Sequence, residues 1–310
     1  MMAIPPTWTD RLRVPVISAP MFLISGTDLV VEACNAGVVG TFPALNQRTS
    51  EGYRDWLDEI ASRLMPEAAP FGVNLVVHRS NPRLDTDLAI TVEKRVPLVV
   101  TSLGLNRDLI SAVHAYGGLV FHDVTSLKFA AKAAEAGVDG LIAVSYGAGG
   151  HAGLISPFAA LHEIRQIFDG VLVLGGAIST GRQVAAARLM GADMVYMGTR
   201  FMATAESMAV ERQRQMLLEA KAADIVYTPA VSGIPGNFLR ASLTAYGRDP
   251  DDLTPPDKLD FGTTDAKAWR DLWAAGQGVG AIDDLPNVAG LIDRLAAEFG
   301  SAALLLANRG

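Results

Sequence analysis

Short β-branched apolar runs alternate along this chain with stretches in which apolar residues recur every three or four positions. The runs at 14–19, 38–42, 71–77, 97–101, 118–123, 139–144, 171–174 and 193–197 are continuous and apolar. That is the pattern of strands covered on both faces. Between them the spacing predicts helices over 27–35, 50–65, 83–95, 106–116, 126–136, 157–168 and 180–190. Thr27 is placed to cap the first of these, and Gly37 to end it. Such alternation argues a parallel sheet, and eight strands is the number that closes a barrel. The expected fold is α/β, a (β/α)8 or TIM barrel. A doubly wound open sheet competes with it, but no G-x-G-x-x-G follows the first run.

After residue 205 the rhythm changes. Residues 208–223 read as one long helix, and 227–260 are rich in Pro, Gly and polar residues with no clean βα period. Residues 285–299 return to an amphipathic pattern and read as the last barrel helix. The expected organisation is a barrel of residues 1–205 plus 280–310, with a helical and loop insertion, 206–279, over its mouth. On composition alone that insertion suits a lid.

Composition narrows the classes. With 310 residues, half of them hydrophobic, the chain can bury a large core. A net charge of −7 disfavours nucleic-acid binding. No run of about 18 apolar residues occurs, so no membrane span is expected. The N-terminus lacks a charged region followed by an apolar one, and the lone Cys34 cannot form an intramolecular disulfide. Both suit a reducing cytoplasm. Cys34 lies in a helical apolar pattern and reads as a core residue.

In such barrels the functional groups sit in the loops after the strands. After the sixth run comes Ser145-Tyr146-Gly147-Ala148-Gly149-Gly150-His151-Ala152-Gly153. Small residues such as Gly149 and Gly150 let backbone approach a flat ligand. His151 there reads as a titratable group in an irregular loop, able to act as base, acid or donor, or to tie loop carbonyls together. After the seventh and eighth runs come Gly175-Gly176-Ala177 and Gly198-Thr199-Arg200, each leading into a helix start. Free N–H groups and the helix dipole at such turns bind phosphate. Asn74 is a lone amide in an apolar run. Ser102, His122 and Asp123 end their own runs and are expected to point toward the mouth. His78, His114, His122, His151 and His162 lack metal-ligand spacing, so no metal is expected.

The combination of Ala19-Pro20-Met21, Phe71-Gly72-Val73-Asn74, Gly149-Gly150-His151-Ala152-Gly153, Gly175-Gly176 and Met197-Gly198-Thr199-Arg200-Phe201 resembles the nitronate monooxygenases. Trp273-Ala274-Ala275-Gly276-Gln277-Gly278 also resembles a segment of that family. The resemblance implies non-covalent FMN. It implies that Ala19, Pro20 and Met21 flank the ring, with His122, Gly149 and Gly150 also at the cofactor, that Asn74 and Ser102 hydrogen-bond the ring, and that Gly175, Gly176, Gly198 and Thr199 hold the phosphate. Gln277 would help close the site. His151 corresponds to the family's catalytic histidine, orienting a nitronate or taking the α-proton of a nitroalkane. The implied reaction oxidises alkyl nitronates with O2 to carbonyl compounds and nitrite. Small molecules are thus the expected partners, with homo-oligomerisation left open. Two features depart from the family pattern: Asp123, where some related flavoproteins carry Lys, and residues 227–260.

The same glycine-rich loop resembles that of FMN-dependent enoyl-acyl-carrier-protein reductases, and some relatives reduce quinones with NADH. An NAD(P)H-dependent flavin reductase is therefore the competing enzyme reading. A non-catalytic FMN- or phosphate-binding module is a third.

Overall fold

The computed structural model describes residues 4–231, 233–252, 254–255 and 272–307. Eight parallel strands close into a barrel: β1 (Val16–Ser18), β2 (Val39–Pro43), β3 (Phe71–Val76), β4 (Leu98–Ser102), β5 (Leu119–Val124), β6 (Gly140–Val144), β8 (Val171–Gly175) and β9 (Met194–Met197). The short strand β7 (Gly150–His151) lies outside the barrel. Closure comes where β9 pairs back onto β1, with Ser18 opposite Met197. All eight expected strands are present.

The period of two divides the side chains. Ile17, Val39, Val100, Phe121, Ile142, Val173 and Met194 form a cluster inside the barrel. Their neighbours Val16, Val99, Val120, Leu141, Leu172 and Val195 face the helices. Each such burial contributes roughly 1.5–3 kcal/mol, and both faces are covered, which is why the strands carry no polar alternation. Ile4 and Trp8, the latter on the short helix α1 (Pro6–Thr9), join the inner cluster from below. The Trp8 ring lies 6.0 Å from that of Phe121. The spacing of Ile4, Trp8 and Leu12 is the sequence signal for this plug, which no expectation above included.

The helices α2 (Thr27–Asn35), α3 (Ser50–Arg63), α4 (Leu84–Glu93), α5 (Arg107–His114), α6 (Leu127–Ala136), α7 (Pro157–Arg165) and α8 (Gly181–Leu189) follow the predicted order. One capping assignment changes. Gly26 is the N-cap of α2, and Thr27 Oγ1 instead donates to Glu59 Oε1 at 2.8 Å. Gly37, at φ +92°, ends that helix as expected.

Beyond β9, the four-residue helix α9 (Thr199–Met202) precedes α10 (Glu211–Glu219). The expected helix over 208–223 is thus shorter at both ends. Met208 N–H is drawn to the Ile24 carbonyl, and Asp224 Oδ2 accepts from Lys221 N–H in a separate 3-10 turn. Within 227–260, expected to be irregular, lie ordered elements: β10 (Ile225–Thr228), β11 (Gly236–Leu239) and α11 (Arg240–Ala245). Residues 232, 253 and 256–260 of that segment lie outside the described ones. β10 and β11 form an antiparallel pair, and β11 pairs on its other edge with β7, Gly236 opposite His151. Finally α12 (Val288–Ala307) packs on α8 and α2 and completes the helical ring. No described helix is long and apolar enough to cross a membrane.

Candidate active site

The C-terminal ends of the strands form the mouth, and the inward or outward parity of each strand decides what reaches it. On β3, Asn74 faces inward. Its Nδ2 donates to the Val100 carbonyl and to Ser102 Oγ, both at 3.2 Å. A buried amide with two such bonds is fixed in orientation. On β5, Phe121 packs in the inner cluster, so Asp123 shares its side of the sheet. His122 therefore points the other way, to the helix layer, where Nδ1 lies 2.8 Å from Thr101 Oγ1. The expectation that His122 reaches the mouth is corrected by that parity: adjacent residues of a strand cannot both face inward.

The loops after β1, β8 and β9 meet on the opposite side. A Cβ at Gly198 would touch Met21 Sδ at 3.6 Å and Ala19 Cβ at 3.7 Å, in ordinary contact. Gly176, at φ +145°, is under a harder constraint, since a Cβ there would lie 2.5 Å from Ser145 Oγ. Only glycine fits that turn. Ala177 follows it at φ +54°, a non-glycine residue held in the left-handed region. The α8 start is less open than expected. Gln183 Oε1 accepts from Ser179 N–H and Thr180 N–H, Glu298 Oε2 from Gly181 N–H, and Thr180 Oγ1 from Gln183 N–H. These bonds spend the donors that a helix end would offer an anion. At α9 no side chain caps the N-terminus, and Thr199 Oγ1 accepts from Gly276 N–H at 2.9 Å. Arg200, buried, braces this turn by donating to the Ala203 and Asp284 carbonyls and to Asp284 Oδ1.

The loop 145–153 is held from three directions. Ser145 Oγ donates to the Gly175 carbonyl at 2.7 Å. Gln277 N–H donates to the Gly147 carbonyl at 2.9 Å, and Gln277 Nε2 reaches Tyr146 Oη at 3.3 Å. Asn237 Nδ2 on β11 donates to the Ala148 carbonyl at 2.6 Å, and Tyr227 Oη on β10 to the Ala152 carbonyl at 3.1 Å. At Gly149 a Cβ would lie 2.9 Å from Gly276 N, so the two backbones touch. His151 is thus no irregular-loop residue, as the sequence suggested, but half of a strand gripped by β11. Asn237 and Tyr227 were missed because nothing in the sequence tells that residues far along the chain return to this loop.

Burial holds the His151 imidazole below its ordinary range, which leaves a neutral ring that can accept a proton. Burial pushes the Asp123 carboxyl up to about 7, and the Tyr196 hydroxyl well above its usual range, the Asp123 charge adding to that. Among the described residues no cluster of His, Cys, Asp and Glu is arranged to hold a metal ion. The arrangement brings glycine turns to the same barrel end as the inward-facing Asn74, Ser102, Asp123 and Tyr196. It also offers one base-competent imidazole, which suits a flat ligand better than a metal.

Known proteins point the same way. Residues 81–298 match the family model described as nitronate monooxygenase. A nitronate monooxygenase of Paraburkholderia phytofirmans is 28% identical over 76% of each chain. The (3aS,4S,5R,7aS)-5-hydroxy-7a-methyl-1-oxo-octahydro-1H-indene-4-carboxyl-CoA dehydrogenase of Rhodococcus jostii is 26% identical over 92% of each. Among solved structures, the nitroalkane oxidase of Streptomyces ansochromogenes superposes with a TM-score of 0.80 at 25% identity. That superposition covers 96% of this chain and 99% of the other. With the family model spanning well over half of its length, this chain, a (β/α)8-barrel oxidoreductase, belongs to the nitronate monooxygenase family.

Proposed function

We propose that the protein is an FMN-dependent nitronate monooxygenase, oxidising alkyl nitronates with O2 to carbonyl compounds and nitrite. The observation that carries this reading is His151, an imidazole held below its ordinary range by burial and fixed on β7 opposite Gly236, in a loop whose Gly149 backbone touches Gly276. Two features support the cofactor. Gly176 tolerates no side chain, and Asp123 Oδ1 and Tyr196 Oη are buried hydrogen-bonding atoms with no partner among the described residues. Such atoms cost roughly 1–3 kcal/mol each when left unpaired, so a ring rich in polar edge atoms suits that wall.

The cofactor, when bound, would supply the redox chemistry, taking electrons from the substrate and reacting in its reduced form with oxygen. The chain's residues do the rest. Ala19, Pro20 and Met21 would flank the ring, and Gly149 and Gly150 would also hold the cofactor. Asn74 and Ser102 hydrogen-bond the ring edge. Gly175, Gly176, Gly198 and Thr199 would hold the phosphate. Since the α8 donors are spent internally, the turn backbones and the uncapped start of α9 carry that task. Gln277 closes the site beside Tyr146. His151 accepts the α-proton of a neutral nitroalkane or donates a hydrogen bond to the nitro oxygens of a nitronate. Its depressed basicity keeps the ring available as a base at neutral pH.

The test has two parts: the mass of the cofactor released from the purified protein, and nitrite formed per O2 consumed with an alkyl nitronate. FMN together with nitrite formation is expected. A protein that binds no flavin, even on reconstitution, contradicts the reading.

A further inference from the structure

Two polar atoms on the barrel's inner wall support the fit of the ring but have been given no part in holding it or in the reaction. They are Asp123 Oδ1 and Tyr196 Oη, both buried and without a hydrogen-bond partner among the described residues. Both residues are partly exposed, and the parity of β5 and β9, set by Phe121 and Met194 in the inner cluster, turns both side chains inward near the C-terminal ends of their strands. Asp123 follows the Thr101–His122 pair of β4 and β5 by one residue, which sets it beside Ser102. Ser102 in turn receives the Asn74 amide. Asn74, Ser102 and Asp123 therefore form a polar arc over three adjacent strands. Tyr196, on β9, shares the inner side with Met194, and a charge on Asp123 adds to the raised pKa of its hydroxyl.

The surroundings decide the protonation. Ala19, Val144 and Gly175 continue the inward-facing parity of β1, β6 and β8, and none ionises. His122 faces outward, and His151 is neutral. No described Lys or Arg offsets a charge on Asp123, for which burial is the cause at work. A carboxyl in such a place is cheapest as the neutral acid, and a neutral acid is a hydrogen-bond donor.

We propose that Asp123, as a neutral carboxylic acid, and Tyr196 are a pair of ligand-facing donors that take acceptor atoms on the polar edge of the flavin ring, extending the Asn74–Ser102 contact. This rests on the flavin reading above. Its consequence is electrostatic: ionisation of Asp123 puts a negative charge beside a ring that gains electrons, so it opposes reduction.

The decisive experiment measures the midpoint potential of the bound flavin from about pH 6 to about pH 9 in the parent protein, Asp123→Asn and Tyr196→Phe. Infrared spectra of the same proteins read the carbonyl stretch of a protonated carboxylic acid. The parent is expected to show an extra downward bend as Asp123 ionises. Asp123→Asn, which keeps a donor and cannot ionise, loses the bend and lies above the parent at high pH. Tyr196→Phe shifts the whole curve and keeps the bend. Parallel curves for parent and Asp123→Asn overturn the proposal. A protein without flavin overturns the flavin reading, and the infrared band then decides alone. A band in the parent that Asp123→Asn removes upholds the neutral acid, and no such band overturns it.

Discussion

At the scale of single residues, the role given to His151 has a direct consequence. His151→Ala is expected to keep its flavin and lose about 10²-fold or more in rate, the usual scale for a general acid–base group. Flavin absorbance and nitrite release on the same preparation check this, and unchanged turnover removes His151 from the chemistry. His122 carries a different prediction. Its pKa is lowered to about 4 by burial, against an unfolded value near 6.5. The folded state thus favours the neutral ring. The stability this confers is complete above about pH 6.5 and is lost as pH falls toward 4, by up to about 3 kcal/mol. Denaturant unfolding in that window should show a shallower loss for His122→Gln. Asn74 and His151 were legible as lone polar groups amid apolar or glycine-rich sequence. The error at His122 was also one of parity, because two consecutive residues of a strand were both sent to the mouth. Tyr196 carried the same signal as Asn74, a polar atom in an apolar run.

At the scale of elements, the site depends on one small sheet that sequence alone did not reveal. β7 has two residues, too few for any periodic signal, and it exists because β11 supplies its partner. Asn237→Leu leaves the Ala148 carbonyl without its donor, at a cost of about 1–3 kcal/mol. We expect a fall in kcat larger than the effect on barrel unfolding, since the loop carrying His151 loosens while the strands do not. Thermal melts beside steady-state kinetics separate the two, and a loss of stability with intact kcat contradicts this account. Gly176→Ala is a second case. With φ +145° and Ser145 Oγ where the new methyl must go, the turn has to move. Reduced flavin retention is expected with little change in barrel content by circular dichroism. The barrel helices, by contrast, were legible almost throughout, because their apolar stripes repeat over two or more turns. Where 208–223 and 227–260 were misread, tertiary bonds to Ile24 and pairing with β7 overrode local preference.

At the scale of the whole molecule, eight βα units within the first 200 residues were enough to predict closure, since a parallel sheet with both faces buried has few other ways to end. The last barrel helix was legible too, since the amphipathic pattern over 285–299 becomes α12, packed on α8 and α2; what that reading left out was the plug at Trp8. We propose, as the sequence suggested, that residues 206–279 act as a separate cover over the barrel of 1–205 and 280–310. Limited proteolysis with and without substrate tests whether it moves, and identical cutting counts against a moving lid. The central claim is that this barrel takes electrons from a nitronate. The most direct measurement is anaerobic titration of the flavin-loaded protein, following its visible absorbance. Bleaching by an alkyl nitronate, with none by NADH or NADPH, is the predicted result. Rapid bleaching by a pyridine nucleotide, with none by nitronates, would contradict it and leave a flavin reductase in its place.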